Sequence, residues 1–484
     1  MKPVTPVYAY VQVASPWLDE HLRVFIRHHA PDAIFVEEID EIPSSCMSFP
    51  GPVVFQFCNG QLLTKNFALL NRTRGLINAY PNSDALARKD HLGAVVDYWT
   101  AKRPESILGD HIPQTVRLTL DYSEYVDEAL MAADDLTLLS SLEKNDEMAP
   151  KEREWWILKP ALVDCGAGIR IFSTVEELAG HLELAEYEDD ENEESYGEES
   201  ESQSEPAELE KNGHEISLSI PGLDSLDGLV LTTKPSALNN LSKIRAKKPE
   251  YVFREGGRIP SAQMRSFVAQ RYIVSIPPIE GRKWHVRAYV LAIGRLQVHV
   301  FDEMLALLAG EDYQPPWEYP NLKSSLTNTA LQDEEDVERR QSMRAFSDLP
   351  ENLLPNRQWK KSVFDQICQI SGELFRAAAH TMADKFVTLD RCFELFAVDF
   401  LVDTDGTAWL LEVNETPAFY TQGVSGPMAL RLMESVICVA MEHIGLAHVG
   451  EARNAVIRKR MVEVLDETAG LGRSNITEIL EEGC

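Results

Sequence analysis

Apolar and polar positions alternate with period two in several short stretches of this chain and recur at helical spacing in others. Val7–Val13 (VYAYVQV) alternates and is rich in β-formers, which predicts a strand. Leu18, Leu22 and Phe25 fall at helical spacing within Pro16–His29, while Ala33–Val36 and Val53–Cys58 read as short strands. That succession predicts a small α/β unit. Asn82 and Ser83 are good N-caps for a helix running towards Trp99. Gln114–Leu118 predicts a strand, Tyr122–Leu142 a helix, and Trp155–Leu158 (WWIL) a strand ending at Lys159. Ile169–Phe172, Phe267–Ile273, Trp284–Leu291 and Leu296–Phe301 read as further strands. Val363–Ala383 and Met428–His443 have helical spacing, and Arg453–Glu467 reads as an amphipathic helix.

Two apolar runs, Phe393–Val402 and Ala408–Val413, flank an Asp405-Gly406 pair. Asp-Gly between such runs is the strongest short-range hairpin signal, because a tight primed turn needs positive φ at its centre. Placing Asp405 and Gly406 at that centre sets Thr404 opposite Thr407, Val402 opposite Trp409, Phe400 opposite Leu411 and Asp399 opposite Glu412. Two carboxylates then face each other in an apolar sheet, which is unfavourable unless a cation joins them. Asn414 is two residues past Glu412, hence on the same face. Asp399, Glu412 and Asn414 together offer the oxygens a hard cation such as Mg²⁺ takes. The alternative is a slipped register with one carboxylate in solvent.

A complementary positive row sits on another strand. Lys283, His285 and Arg287 share one face of Trp284–Leu291, and Trp284, Val286 and Ala288 share the other. Such a stripe is costly in a core strand unless an anion neutralises it, or else it marks a solvent-facing edge. Cations opposite metal-ligand oxygens suit a nucleoside triphosphate with Mg²⁺. After Lys159 comes a loop with Gly166 and Gly168, which reads either as a phosphate cover or as a plain β-hairpin with a glycine turn. It lacks the GxxxxGK[ST] pattern.

Composition narrows the class. The 484 residues, 44% hydrophobic, are enough for two to four domains. Seven scattered cysteines without a CxxC speak against a zinc site or a disulfide framework and predict a reducing, cytoplasmic setting. No signal peptide and no spanning apolar run are expected. A net charge of −31 disfavours nucleic acid and anionic membrane as partners. Thirteen acids and no Lys or Arg fall between Glu186 and Glu210, which predicts a disordered insert. Gln61–Arg103 runs the other way, with seven Lys or Arg (Lys65, Arg72, Arg74, Arg88, Lys89, Lys102, Arg103) against three acids. It reads as a docking patch or as an ordinary solvated helix face. Lys243–Lys248 (KIRAKK) is a second basic stretch.

The stretches RGL and DALARKDHL (Arg74–Leu92), WILKPALVDCGAGI (Trp156–Ile169), QRYI (Gln270–Ile273), GRKWHVRAYVL (Gly281–Leu291), LTN (Leu326–Asn328) and FELFAVDFLVD with WLLEVNETP (Phe393–Pro417) together resemble the tubulin–tyrosine ligase family, in that family's order. The resemblance implies an ATP-grasp fold of class α/β (α+β), with antiparallel sheets flanked by helices. It divides the chain into an N-terminal α/β domain (1–104), a central domain (105–265) carrying the acidic insert, a C-terminal domain with the metal site (266–450), and a helix and tail (451–484). It implies an ATP- and Mg²⁺-dependent ligase that joins a free amino acid to a protein acceptor such as the tubulin C-terminal tail. Lys89, Lys159 and Lys283 would meet nucleotide phosphates, with Gly166 and Gly168 in the covering loop. Gln270, Arg271, Tyr272 and Ile273 would line the adenine edge through backbone groups. Arg287 would meet the transferred phosphoryl group or the acceptor, and Asp399, Glu412 and Asn414 would hold Mg²⁺. Two departures stand out: His285 replaces the family's usual Asp, and Leu307 lies about where the family has an arginine. His285 is open to two readings, a proton acceptor for the incoming amine or a space-filler. A protein ligase, an inactive Mg-ATP-binding interaction module and a small-molecule ligase all fit the sequence.

Overall fold

Three sheets organise the described residues, which in this computed structural model are 6–42, 52–58, 75–163, 166–182, 257–261, 263–318, 322–327, 342–421, 423–446 and 451–468. The acidic stretch 186–210, the basic stretch 243–248, and Lys65, Arg72 and Arg74 of the basic patch lie outside the described residues.

Strands β1 (Val7–Gln12), β2 (Ile34–Val36), β3 (Val53–Cys58) and β4 (Leu76–Ile77) form a parallel sheet in the order β2-β1-β3-β4. The helix Pro16–His29 crosses over it, with Pro16 in the first turn and the Ser15 hydroxyl accepting from the Leu18 N–H. Its Leu18, Leu22 and Ile26 are buried, while Phe25, which the spacing placed in the core, is only partly buried against them. They share one apolar cluster with Phe55, Phe393, Leu395, Met428 and Leu432, so the N-terminal unit packs onto the rest of the chain.

The second sheet is antiparallel, β5 (Thr115–Thr119), β6 (Trp156–Pro160), β7 (Arg170–Phe172) and β8 (Ser266–Arg271), in the order β5-β8-β6-β7. The single helix expected over Tyr122–Leu142 is broken into a 3₁₀ turn (Ser123–Tyr125) and two helices, Val126–Met131 and Thr137–Asn145. The Asp135 carboxylate accepts from the Thr137 N–H at 2.8 Å, and this local competitor for backbone donors separates the helices.

The third sheet is built on β9 (Arg282–Ile293). One edge of β9 pairs along Val286–Ile293 with β13 (Phe393–Val402). The other edge is shared by β11 (Leu305–Asp312) at the start of β9 and β10 (Gln297–Phe301) at its end. Strand β12 (Met343–Ala345) extends β11, and β14 (Ala408–Asn414) extends β13, every pairing being antiparallel. The helix Trp359–Thr381 covers one face with Val363, Ile367, Leu374 and Phe375, and Ser425–His443 covers the other. The amphipathic helix expected over Arg453–Glu467 ends at Lys459, and β15 (Met461–Asp466) then adds to β10. Met461-Val462-Glu463-Val464-Leu465 suits a strand better than a helix, and β10 offers it an edge. Its close approach to the helix Trp359–Thr381 depends on Gly372, where a Cβ would stand 2.8 Å from the Val464 carbonyl oxygen.

Helices Asp84–Ala87 and Lys89–Lys102 are separated by a kink at the extended Arg88. Asn82, rather than Ser83, caps the first, accepting from the Asp84 N–H at 2.9 Å. The Ser83 hydroxyl reaches Glu394 of β13 at 3.2 Å and Glu415 at 3.0 Å. Glu394 is buried, also accepts from the Tyr80 N–H at 3.1 Å, and is pushed up to about 8 by burial, with the Glu415 charge adding to the effect. One hydroxyl hydrogen cannot serve two carboxylates. A protonated Glu394 donating to Ser83, which donates to Glu415, satisfies all three groups.

Candidate functional site

The β13–β14 hairpin differs from its expected register near the turn and agrees with it at the carboxylates. Its loop has three central residues, Thr404, Asp405 and Gly406, with Gly406 at φ +83°. The Asp403 carboxylate accepts from the N–H groups of Asp405 (3.0 Å) and Thr407 (2.9 Å), which selects the longer loop over a two-residue primed turn. Val402 therefore faces Ala408, and Phe400 faces Leu410, one residue away from the expected partners Trp409 and Leu411. A bulge between Asp399 and Phe400 then accommodates Leu411 as the extra residue and restores Asp399 opposite Glu412. Leu410 stays in the core while Leu411 and Glu412 both line the cleft.

Strand β9 is interior, so the solvent-edge reading of its cationic stripe fails. Lys283 and His285 are buried. Farther along the same face, Tyr289, Leu291 and Ile293 are core residues, so the stripe marks where this face leaves the apolar packing and borders a cleft. Lys283 lies 3.9 Å from the centre of the Tyr272 ring, and burial lowers its ammonium to about 7. From the second sheet, Lys159 is also buried; its ammonium donates to the Gln270 side chain at 2.7 Å, and Gln270 donates to Thr115 at 3.1 Å. Burial lowers Lys159 to about 8, partly opposed by the Glu412 charge.

Lys159, Gln270, Arg271, Tyr272, Ile273, Lys283, His285, Asp399 and Glu412 line one cleft between the second and third sheets, open at its mouth. Its apolar walls are Ile157, Ile169, Leu326, Leu401 and Leu411. Gly166 and Gly168 both take positive φ in the β6–β7 connection, which is a hairpin. The hairpin reading holds; the hairpin brings Ile169 to the cleft wall, while Gly166 and Gly168 do not line the cleft. The N–H groups of Arg271 and Tyr272 are engaged by the carbonyls of Gln114 and Trp155, so these two donors are already taken. Lys89 sits at the cleft rim, donating to the Val163 carbonyl at 3.2 Å with its ammonium 3.6 Å from Glu412.

Arg287 contacts Asp399 through two hydrogen bonds, Nε to Oδ1 at 2.9 Å and Nη2 to Oδ2 at 2.7 Å. Burial alone would raise the Asp399 carboxyl; the Arg287 guanidinium and the His285 ring overcome it and hold Asp399 well below the usual carboxylate range. His285 Nδ1 is hydrogen-bonded to the Thr327 hydroxyl, and its Nε2 is 3.6 Å from Asp399 Oδ1. Thr327, Ser325 and Thr115 are contacts that the sequence did not single out by chemistry. Only the LTN stretch pointed near two of them, and long-range partners of a hydroxyl leave no local pattern.

Asp399, Glu412 and Asn414 fit a hard cation by donor type, two carboxylates and an amide on adjoining strands. Among the described residues no three His, Cys, Asp or Glu converge as a metal-binding group. The residues fit a cation whose shell is completed by phosphate and water oxygens, as Mg²⁺ beside a nucleotide prefers.

A sequence model of the tubulin-tyrosine ligase family matches residues 67–443. A probable tubulin–tyrosine ligase of Schizosaccharomyces pombe is 37% identical over 346 residues, 71% of this chain and 72% of that protein. The probable tubulin–tyrosine ligase PBY1 of Saccharomyces cerevisiae is 31% identical over 356 residues, 72% of this chain and 40% of that longer protein. Among solved structures, the C-terminal domain of K. lactis Pby1, described as an ATP-grasp enzyme interacting with the mRNA decapping enzyme Dcp2, superposes with a TM-score of 0.58. It is 23% identical and covers 95% of this chain and 99% of that one.

Proposed function

Because the chain belongs to the tubulin-tyrosine ligase family and has the ATP-grasp fold, we propose that its cleft is the active site of an ATP- and Mg²⁺-dependent carboxylate–amine ligase that adds an amino acid to a protein. The observation that carries this reading is the pairing of Asp399 and Glu412, restored by the bulge, beside the buried cations Lys159 and Lys283. Asp399, Glu412 and Asn414 would hold Mg²⁺, which when bound neutralises phosphate charge. Lys159 and Lys283 meet phosphate oxygens in a low-dielectric site, where fixed positive charge acts strongly on a migrating phosphoryl group. An acceptor carboxylate oxygen attacks the terminal phosphorus, ADP leaves, and the resulting acyl phosphate is cleaved by an amine to give an amide and free phosphate. His285 Nδ1 is engaged by Thr327, while its Nε2, 3.6 Å from Asp399 Oδ1, is buried without a hydrogen bond of its own. Both a proton acceptor for the incoming amine and a space-filler beside Asp399 fit that placement. The acceptor class is a protein such as the tubulin C-terminal tail, with a free amino acid as the amine donor.

One observation favours a second reading, an Mg-ATP-binding interaction module. Leu307, opposite His285 on β11, is 2% exposed and packed in the apolar cluster with Tyr289 and Met343, so no charge is offered there. Labelled amino acids, supplied one at a time with Mg-ATP and either tubulin-tail peptides or cell protein, distinguish the two. Incorporation by the natural protein that vanishes in Glu412→Gln supports the ligase and names its donor. Equal incorporation by the variant refutes the site, and thermal stabilisation by Mg-ATP without any incorporation supports the module.

A further inference from the structure

The cleft's two carboxylates are held very differently. Both oxygens of Asp399 face donors: Arg287 on each, Asn414 Nδ2 at 3.4 Å from Oδ2, and His285 Nε2 at 3.6 Å from Oδ1. The register places Arg287 directly opposite Asp399 on the neighbouring strand, so backbone pairing fixes this contact. Glu412 is looser, with Lys89 at 3.6 Å. A bidentate guanidinium fork on a buried carboxylate is a strong, geometrically specific pairing that an incoming cation has to displace. Arg287 thus occupies the charge position at Asp399 that a divalent cation would need.

We propose that Arg287 is a latch displaced by metal: it seals Asp399 until a divalent cation enters together with a nucleotide, and the released guanidinium then receives the carboxylate substrate. This rests on the reading that Asp399, Glu412 and Asn414 hold the cation. Glu412 is the point of first contact, since its own partner is distant. Nucleotide phosphates supply the further ligands that make exchange at Asp399 favourable. Arg287 is half-buried and shares its strand face with Tyr289, whose ring stacks on Phe419 at 5.8 Å. A guanidinium freed beside that pair keeps its planar fork, which matches a carboxylate. The consequence is an order of binding: metal with nucleotide first, acceptor carboxylate second.

Mn²⁺ is the probe, followed by electron paramagnetic resonance on the full chain, with and without a non-hydrolysable ATP analogue. Arg287→Gln is expected to bind Mn²⁺ without nucleotide at least tenfold more tightly than the natural protein, and Arg287→Lys to fall between them. An unchanged nucleotide-free affinity in Arg287→Gln overturns the latch. Glu412→Gln separates the two claims. If it leaves Mn²⁺–nucleotide binding intact, the cation site itself is wrongly placed; if it weakens that binding while Arg287→Gln changes nothing, only the latch falls. Should Arg287→Gln not fold, phenylglyoxal labelling of the natural protein decides. Mn²⁺ with ADP should raise the labelling of Arg287 several-fold over the free protein, and unaltered labelling refutes its release.

Discussion

Replacing Glu394 with Gln removes an ionisable group from the junction between the N-terminal unit and β13, and leaves an amide oxygen for the Tyr80 N–H. A carboxyl that ordinarily titrates at 4.5 does so here at about 8. Between those values the folded state binds a proton that the unfolded chain has released, so stability falls as pH rises through the window. At ~1.4 kcal/mol per tenfold change in proton activity, the full cost of ionising Glu394 in place reaches about 5 kcal/mol as a ceiling. Glu394→Gln escapes this cost. The assay is urea unfolding of both proteins from pH 5.5 to 8.5, read by tryptophan fluorescence. Every other titrating group is common to the two, so the difference curve isolates Glu394. The variant's margin over the natural protein should grow by ~3 kcal/mol between pH 5.5 and pH 8.5. A flat difference curve would refute both the buried proton and the hydrogen-bond count that requires it.

The buried lysines and the β6–β7 loop give further tests. Lys283 is depressed to about 7 by burial, so the cost of its charge is fully present below that pH and declines as pH rises towards 10.5. Lys283→Met should therefore raise the Tm of the nucleotide-free protein at pH 6 by at least ~2 °C, while abolishing stabilisation by Mg-ATP. Phosphates beside Lys159 and Lys283 restore their charge; nucleotide binding at pH 8 should take up about one proton, seen as a calorimetric enthalpy that varies with the buffer. Gly168→Ala forces a side chain onto φ +72° with its Cβ 2.8 Å from the Pro160 ring. A loss of ~1–3 kcal/mol in unfolding stability and a raised KM for ATP are expected, the latter because Ile169 lines the cleft.

The site was legible in the sequence where chemistry overrode local detail. The two-residue turn at Asp405-Gly406 was the wrong loop, because the Asp403 side chain competes for backbone donors across five residues. The Asp399–Glu412 pairing still came out right, since the extra loop residue is offset by the bulge at Leu411. The stripe Lys283, His285, Arg287 was visible from period two alone, whereas its burial depended on β9 lying between other strands. Arg287 was assigned to substrate, and its pairing with Asp399 belongs to a cross-strand register that single-strand reasoning does not reach. Helix Pro16–His29 was legible from its apolar spacing, which places Leu18 and Leu22 in the core. Arg453–Glu467 failed because a tertiary edge, β10, decides the state of its second half.

The two compensating irregularities in the β13–β14 hairpin bear on how this protein tolerates insertion and deletion. Loop tips are ordinarily where lengths drift most freely. Here a deletion in Thr404–Gly406, without a matching change at Leu411, would shift β14 by one residue and turn Glu412 away from Asp399. The tip of an exposed turn is thereby bound to the geometry of the cleft several residues away. Sequence lengths at the two places should change only together, and grafting a shorter turn onto this hairpin should cost the site before it costs the fold.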